Sequence, residues 1–122
     1  MSVINWFEIP VADMDRAARF YESVLGTSLK RETFAGVPHA IFAKTMDTSP
    51  TGALVADPRH EPGASGTVLY LHAPEIDASL SRVAKAGGSV VVPKTDIGPM
   101  GVYAIIADTE GNRVGLHARA KS

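Results

Sequence analysis

A carboxylate sits inside a strand-like run near the start of the chain, Trp6-Phe7-Glu8-Ile9-Pro10. Glutamate is depleted in strands, and burying its charge without a partner is costly. Glu8 therefore reads as facing a cleft, where it could act as a general base, meet a cation or ligate a metal. A structural carboxylate paired with an arginine or with solvent is the other reading. Histidines are the second source of chemistry. His117 and His72 both lie in strand-like runs and could move a proton or hold a metal. A strand-end histidine beside solvent is the plainer alternative for each. His39 and His60 fall in turn or loop contexts and read as surface residues. Trp6, Tyr70 and Tyr103 could stack a ligand or simply pack a core. The chain has no cysteine, which excludes disulfides, thiolate metal sites and a cysteine nucleophile.

The elements around these residues explain how a strand tolerates Glu8. From Val3 to Val11 the pattern alternates, with Phe7, Ile9 and Val11 on one face and Trp6, Glu8 and Pro10 on the other. Asp13 suits an N-cap, and Met14, Ala17, Ala18, Tyr21, Val24 and Leu25 follow at helical spacing until Gly26 closes the helix. "TSLKRETFAG" reads as a strand, Gly36-Val37-Pro38 as a turn, and "HAIFAKT" and "TGALVA" as two further strands. Residues 57–66 form a Pro- and Gly-containing loop. The order then restarts: "TVLYLHA" as strand, "EIDASLSRVAKAGG" as helix, "SVVVPKTDI" as strand, "GPMG" as turn, then "VYAIIADT" and "RVGLHA" as strands. "DTEGN" between the last two reads as a turn, with no chemistry assigned. Asp13 and Glu75 start the two helices, and the shift that carries one onto the other also aligns Gly26 with Gly88 and Glu8 with Tyr70.

The fold expected is α+β, with two tandem βαβββ modules of about 1–57 and 67–119 in one domain spanning 1–122. A half of ~60 residues with one helix cannot cover both faces of its sheet, so two halves must share a core. By parity, Val68, Tyr70 and His72 face inward on the fifth strand, and Arg113, Gly115 and His117 on the last. The chain has a net charge of −1 and no basic stripe, which argues against nucleic acid or an anionic membrane surface as partner. No apolar run approaches the ~18–20 residues that a spanning helix needs, and no signal peptide is visible. The expected location is the cytoplasm.

"FEIPVADMDRAARFYESVLG", "LYLHAPEIDASLSRVAKAGGSVVVP" and the ending "DTEGNRVGLHA" together resemble the vicinal oxygen chelate superfamily, the glyoxalase, bleomycin-resistance and extradiol-dioxygenase group. The resemblance covers essentially the whole chain. It implies two half-barrel sheets around a shared cleft, and, in the metalloenzymes, a divalent ion held by His, Gln or Glu on the first and last strands of the halves. Those positions fall here on Trp6, Val68, Gly115 and the "TGALVA" strand, none of which offers a metal-binding side chain. The resemblance therefore implies a small-molecule cleft protein without the usual metal site, with Glu8 and His117 as its polar, catalytic pair and Trp6, Tyr70, His72 and Tyr103 lining the ligand. Two alternatives stay open: a divalent-metal lyase or isomerase with shifted ligands Glu8, His117 and His72, and a non-enzymatic drug-sequestering binder. No cofactor other than such a metal is implied. A homodimer is expected by the same resemblance, and "DIGPMGVYA" could act as a lid over the cleft or as a plain hairpin.

Overall fold

The computed structural model describes residues 3–44 and 50–120. Two four-stranded sheets, each carrying one helix, follow one another along the chain. The first comprises β1 (Trp6–Pro10), α1 (Met14–Leu25), β2 (Lys30–Phe34), β3 (Val37–Ile41) and β4 (Thr51–Val55), with strand order β1-β4-β3-β2. The second comprises β5 (Tyr70–His72), α2 (Ile76–Val83), β6 (Ser89–Asp96), β7 (Val102–Ala107) and β8 (Arg113–Ala118), ordered β5-β8-β7-β6. In each sheet the first strand runs parallel to the last, as a strand followed by a crossover helix requires.

The sequence determines α1 at both ends. The Asp13 side chain accepts the Arg16 amide at 3.0 Å, and Gly26 adopts φ 68° as its amide donates to the Glu22 carbonyl. Ala17, Ala18, Phe20, Tyr21 and Val24 are buried on its inner face. They join Ile9, Val11, Leu54, Leu71, Val83, Ile106, Val114 and Leu116 in a core that draws on both modules. The alternation on β1 is as expected: Ile9 is buried and Phe7 packs against the core, while Trp6 and Glu8 are exposed.

Several boundaries differ from the expected ones. The turn after β2 is Ala35-Gly36, at φ 50° and φ 80°. Paired positive values of this kind mark a tight hairpin. Pro38 then lies inside β3, where the antiparallel register pairs it with Thr33. His39 follows and is buried, not a surface turn residue. The strand expected over 67–73 shortens to Tyr70–His72, although the Leu69 carbonyl still accepts the Gly115 amide at 2.7 Å. The second helix ends at Val83, before the Gly87-Gly88 pair. "GPMG" forms a short 3-10 turn over Gly98–Met100. Thr45, at the end of the expected third strand, lies outside the described residues. Among the described residues no helix is long and apolar enough to cross a membrane.

The modules are joined by the loop that reads in sequence as a plain turn. Glu110 of "DTEGN" accepts the amides of Ala12 and Asp13 at 2.8 and 2.9 Å and is clasped by Arg16 at 2.7 and 2.9 Å. Tyr21 donates to Asp108 at 2.6 Å, and the Asn112 side-chain amide donates to the Pro10 carbonyl at 2.8 Å. On the helix side, the Arg82 guanidinium donates to the Ser23 carbonyl.

Candidate functional site

Glu8 projects from the solvent face of β1, where Trp6 is its neighbour two residues back. The Trp6 indole N–H donates to Glu8 Oε2 at 3.2 Å. Parallel pairing sets Glu8 beside Ala53, and antiparallel pairing sets Ile41 beside Ala53 and His39 beside Val55. His39 thereby arrives on the same face, with Nε2 3.6 Å from Glu8 Oε2. Its Nδ1 lies 2.8 Å from the Val37 carbonyl oxygen. A carbonyl oxygen can only accept, so Nδ1 is the donor in that contact. Phe34 meets the imidazole edge-to-face at 4.9 Å. Beyond the end of β4, Arg59 is held by Asp57 through three side-chain hydrogen bonds. Those bonds draw the Asp57 carboxyl down to about 2 and raise the Arg59 guanidinium. Glu8, Pro10, Val55, Arg59, His60 and Glu61 line a recess of about 470 Å³.

The second sheet presents a separate group. The Tyr70 and Tyr103 rings lie 6.0 Å apart, edge to face. Tyr103 pairs with His117 across β7 and β8, and His72 pairs with His117 across β5 and β8. His117 Nε2 donates to the Met100 carbonyl at 2.6 Å, which ties the Gly98–Met100 turn to the last strand. Tyr70 is 54% exposed but its ring rests on Gly115: a Cβ at that position would lie 2.2 Å from Tyr70 Cδ1.

Of the six residues singled out in the sequence, the structure places Trp6 beside Glu8 and Tyr70 beside Tyr103, with His117 and His72 in register next to them. Among the described residues no hydrogen bond, ion pair or ring contact joins Glu8 to His117 or His72. A recess of about 260 Å³ at the seam between modules is lined by Glu8, Ile9 and Pro10 from one side and Leu69, Arg113 and Val114 from the other. Sequence reasoning missed His39. Its one visible signal is the parity it shares with Ile41 on a strand that must pair with β4, and placing the turn too late masks that signal.

At the positions the resemblance assigns to metal ligands, the donor chemistry does not fit. Trp6, Val68 and Gly115 offer no ligating side chain. The Tyr70 ring also fills the space that a side chain at Gly115 would need. Among the described residues no three His, Asp or Glu side chains are grouped to hold an ion.

Comparison with known proteins agrees with this architecture. Residues 3–116 match the model of the Glyoxalase/Bleomycin resistance protein/Dioxygenase superfamily, and the chain belongs to it. TnmS3, an antibiotic binding protein from Streptomyces sp. CB03234, is similar in structure at TM-score 0.69 and 27% identity, over 98% of each chain. A glyoxalase/bleomycin resistance protein from Albidiferax ferrireducens T118 shares the fold at TM-score 0.74 and 18% identity, covering 98% of this chain and 100% of its own. The putative glyoxylase CFP32 of Mycobacterium tuberculosis (strain CDC 1551 / Oshkosh) is 27% identical over 114 residues, 92% of this chain. The chain spans only 44% of the length of that relative.

Proposed function

We propose that the protein binds a small, flat molecule against its exposed aromatic side chains, with no metal at the superfamily's ligand positions. One observation carries the reading. Two of the four positions that the resemblance assigns to metal ligands carry rings instead: the Trp6 indole, anchored on Glu8, and the Tyr70 ring, seated on Gly115. Aromatic faces beside a few fixed polar groups are the usual make-up of a ligand site. Glu8 supplies the polar edge of the first sheet, and His117 and His72 that of the second. The likeness to an antibiotic binding protein supports binding over turnover.

Trp6 is the only tryptophan and is 43% exposed, so its fluorescence reports directly on the site. Titration with a panel of flat aromatic compounds should shift or quench that emission in a saturable way. No saturable change with any of them would sink the reading. Stoichiometric zinc, nickel or manganese in protein purified without chelator would overturn its metal-free part.

Pairing of two copies belongs to the same proposal. Phe34, Val68, Tyr70, Val90 and Val91 are exposed apolar side chains that a second copy would cover. Light scattering should give twice the 12.9 kDa of one chain, and the mass of a single chain would refute pairing.

A further inference from the structure

We infer that Glu8 Oε1 is the ligand-facing acceptor of the first-sheet recess, and that His39 is the residue that positions it for a ligand group carrying an N–H or O–H. This rests on the small-molecule reading above and sharpens it to a chemical class. Glu8 Oε2 takes both contacts the carboxylate makes, with the Trp6 indole at 3.2 Å and His39 Nε2 at 3.6 Å. Oε1 meets no donor among the described residues. The guanidinium that lines the same recess, Arg59, is spent on Asp57 through Nε and Nη2.

His39 is fixed as few side chains at a surface site are. It is 8% exposed, Nδ1 is pinned to the Val37 carbonyl, and Phe34 holds one edge of its ring. With Nδ1–H committed to Val37, Nε2 carries a proton toward Oε2, 3.6 Å away, only in the imidazolium, where both ring nitrogens donate. With Oε2 taken by the indole and facing the imidazolium, Oε1 is the oxygen left for a ligand in the recess that Glu8 lines. A carboxylate oxygen only accepts, so the complementary ligand group donates: an amide, amine or hydroxyl beside a ring that lies against Trp6. A buried imidazole that a plain core would replace with an aliphatic residue is thereby given a use.

The test is a pair of probes matched in shape, benzamide with an N–H donor and methyl benzoate without one, titrated against the intact protein with Trp6 emission as readout. Half-saturation for benzamide should be at least about fivefold lower than for methyl benzoate. Glu8→Leu should abolish that preference. His39→Phe, with an unaltered thermal transition, should lose most of it, and His39→Gln, whose amide can still donate to Oε2, should restore part. Equal half-saturation for the two probes, or a preference that survives Glu8→Leu, overturns the assignment of Oε1 while leaving small-molecule binding standing. A preference retained in His39→Phe overturns the role of His39. Absence of saturable quenching by either probe overturns this inference, and failure of the whole panel of flat aromatic compounds overturns the reading on which it rests as well.

Discussion

Gly115 and Gly101 sit near the same strand and should respond very differently to alanine. At Gly115 the added Cβ meets the Tyr70 ring, whose face is open to solvent and which can swing aside. Gly115→Ala is expected to cost about 1 kcal/mol or less while displacing Tyr70 from its contact with Tyr103. Thermal denaturation should show the small stability change, and near-ultraviolet circular dichroism the altered tyrosine environment. At Gly101 the backbone adopts φ +103°, and a Cβ would lie 2.1 Å from the Ala118 carbonyl oxygen. Neither partner is a side chain that can move. Gly101→Ala should destabilise by about 2–4 kcal/mol, and a cost near that of Gly115→Ala would show that the Gly98–Met100 turn is not held as described.

The helices and strands were legible where local chemistry and period agreed. Asp13 accepts the Arg16 amide as an N-cap should. Asp13→Ala is therefore expected to lower stability by about 1 kcal/mol in chemical denaturation, with no change in any recess. Gly26 and the two-faced character of β1 were equally readable, because each is set by neighbours in sequence; the second helix departs from the first, ending at Val83 with no side-chain bond from Glu75 at its start. What was not readable depended on partners far along the chain. Pro38 looks like a turn residue, yet β3 accommodates it and the positive φ values at Ala35 and Gly36 make the bend instead. That small displacement hid the burial of His39 and with it the contact to Glu8. "DTEGN" looked complete as a turn, since Asp108 accepts the amides of Glu110 and Asn112 within it. Nothing local reveals that Glu110 closes on Arg16 of the first helix, far earlier in the chain. Strand parity alone places Trp6 and Tyr70 on exposed faces, whereas the polar network around Glu8 needed the β3–β4 register.

At the scale of the whole molecule, the two modules are held together by polar bonds as well as by the shared core, and this makes stability depend on pH. The Glu110 side chain has no solvent exposure. Burial pushes its pKa up, but the Arg16 guanidinium, the Asp13 and Ala12 amides and the Thr109 hydroxyl outweigh burial and bring it from 4.5 to about 2. A carboxyl whose folded pKa lies below its unfolded one stabilises the fold fully above the unfolded value. That contribution falls away as pH drops from 4.5 through about 2. The span corresponds to roughly 3 kcal/mol at most, because Arg16 is half exposed and water screens its share, so acid unfolding should steepen over this window. Glu110→Gln keeps the shape but removes the charge that Arg16 and the two amides address. It should cost on the order of 2 kcal/mol at neutral pH and flatten the acid limb. Tyr21→Phe removes the 2.6 Å bond to buried Asp108. This should cost about 1–2 kcal/mol at neutral pH. Burial and the Asp108 charge already keep the phenol well above its ordinary value and protonated throughout. Denaturation of the three proteins from strongly acid to neutral pH separates the two effects. An acid limb unchanged in Glu110→Gln would show that the clasp on the first helix does not couple the modules.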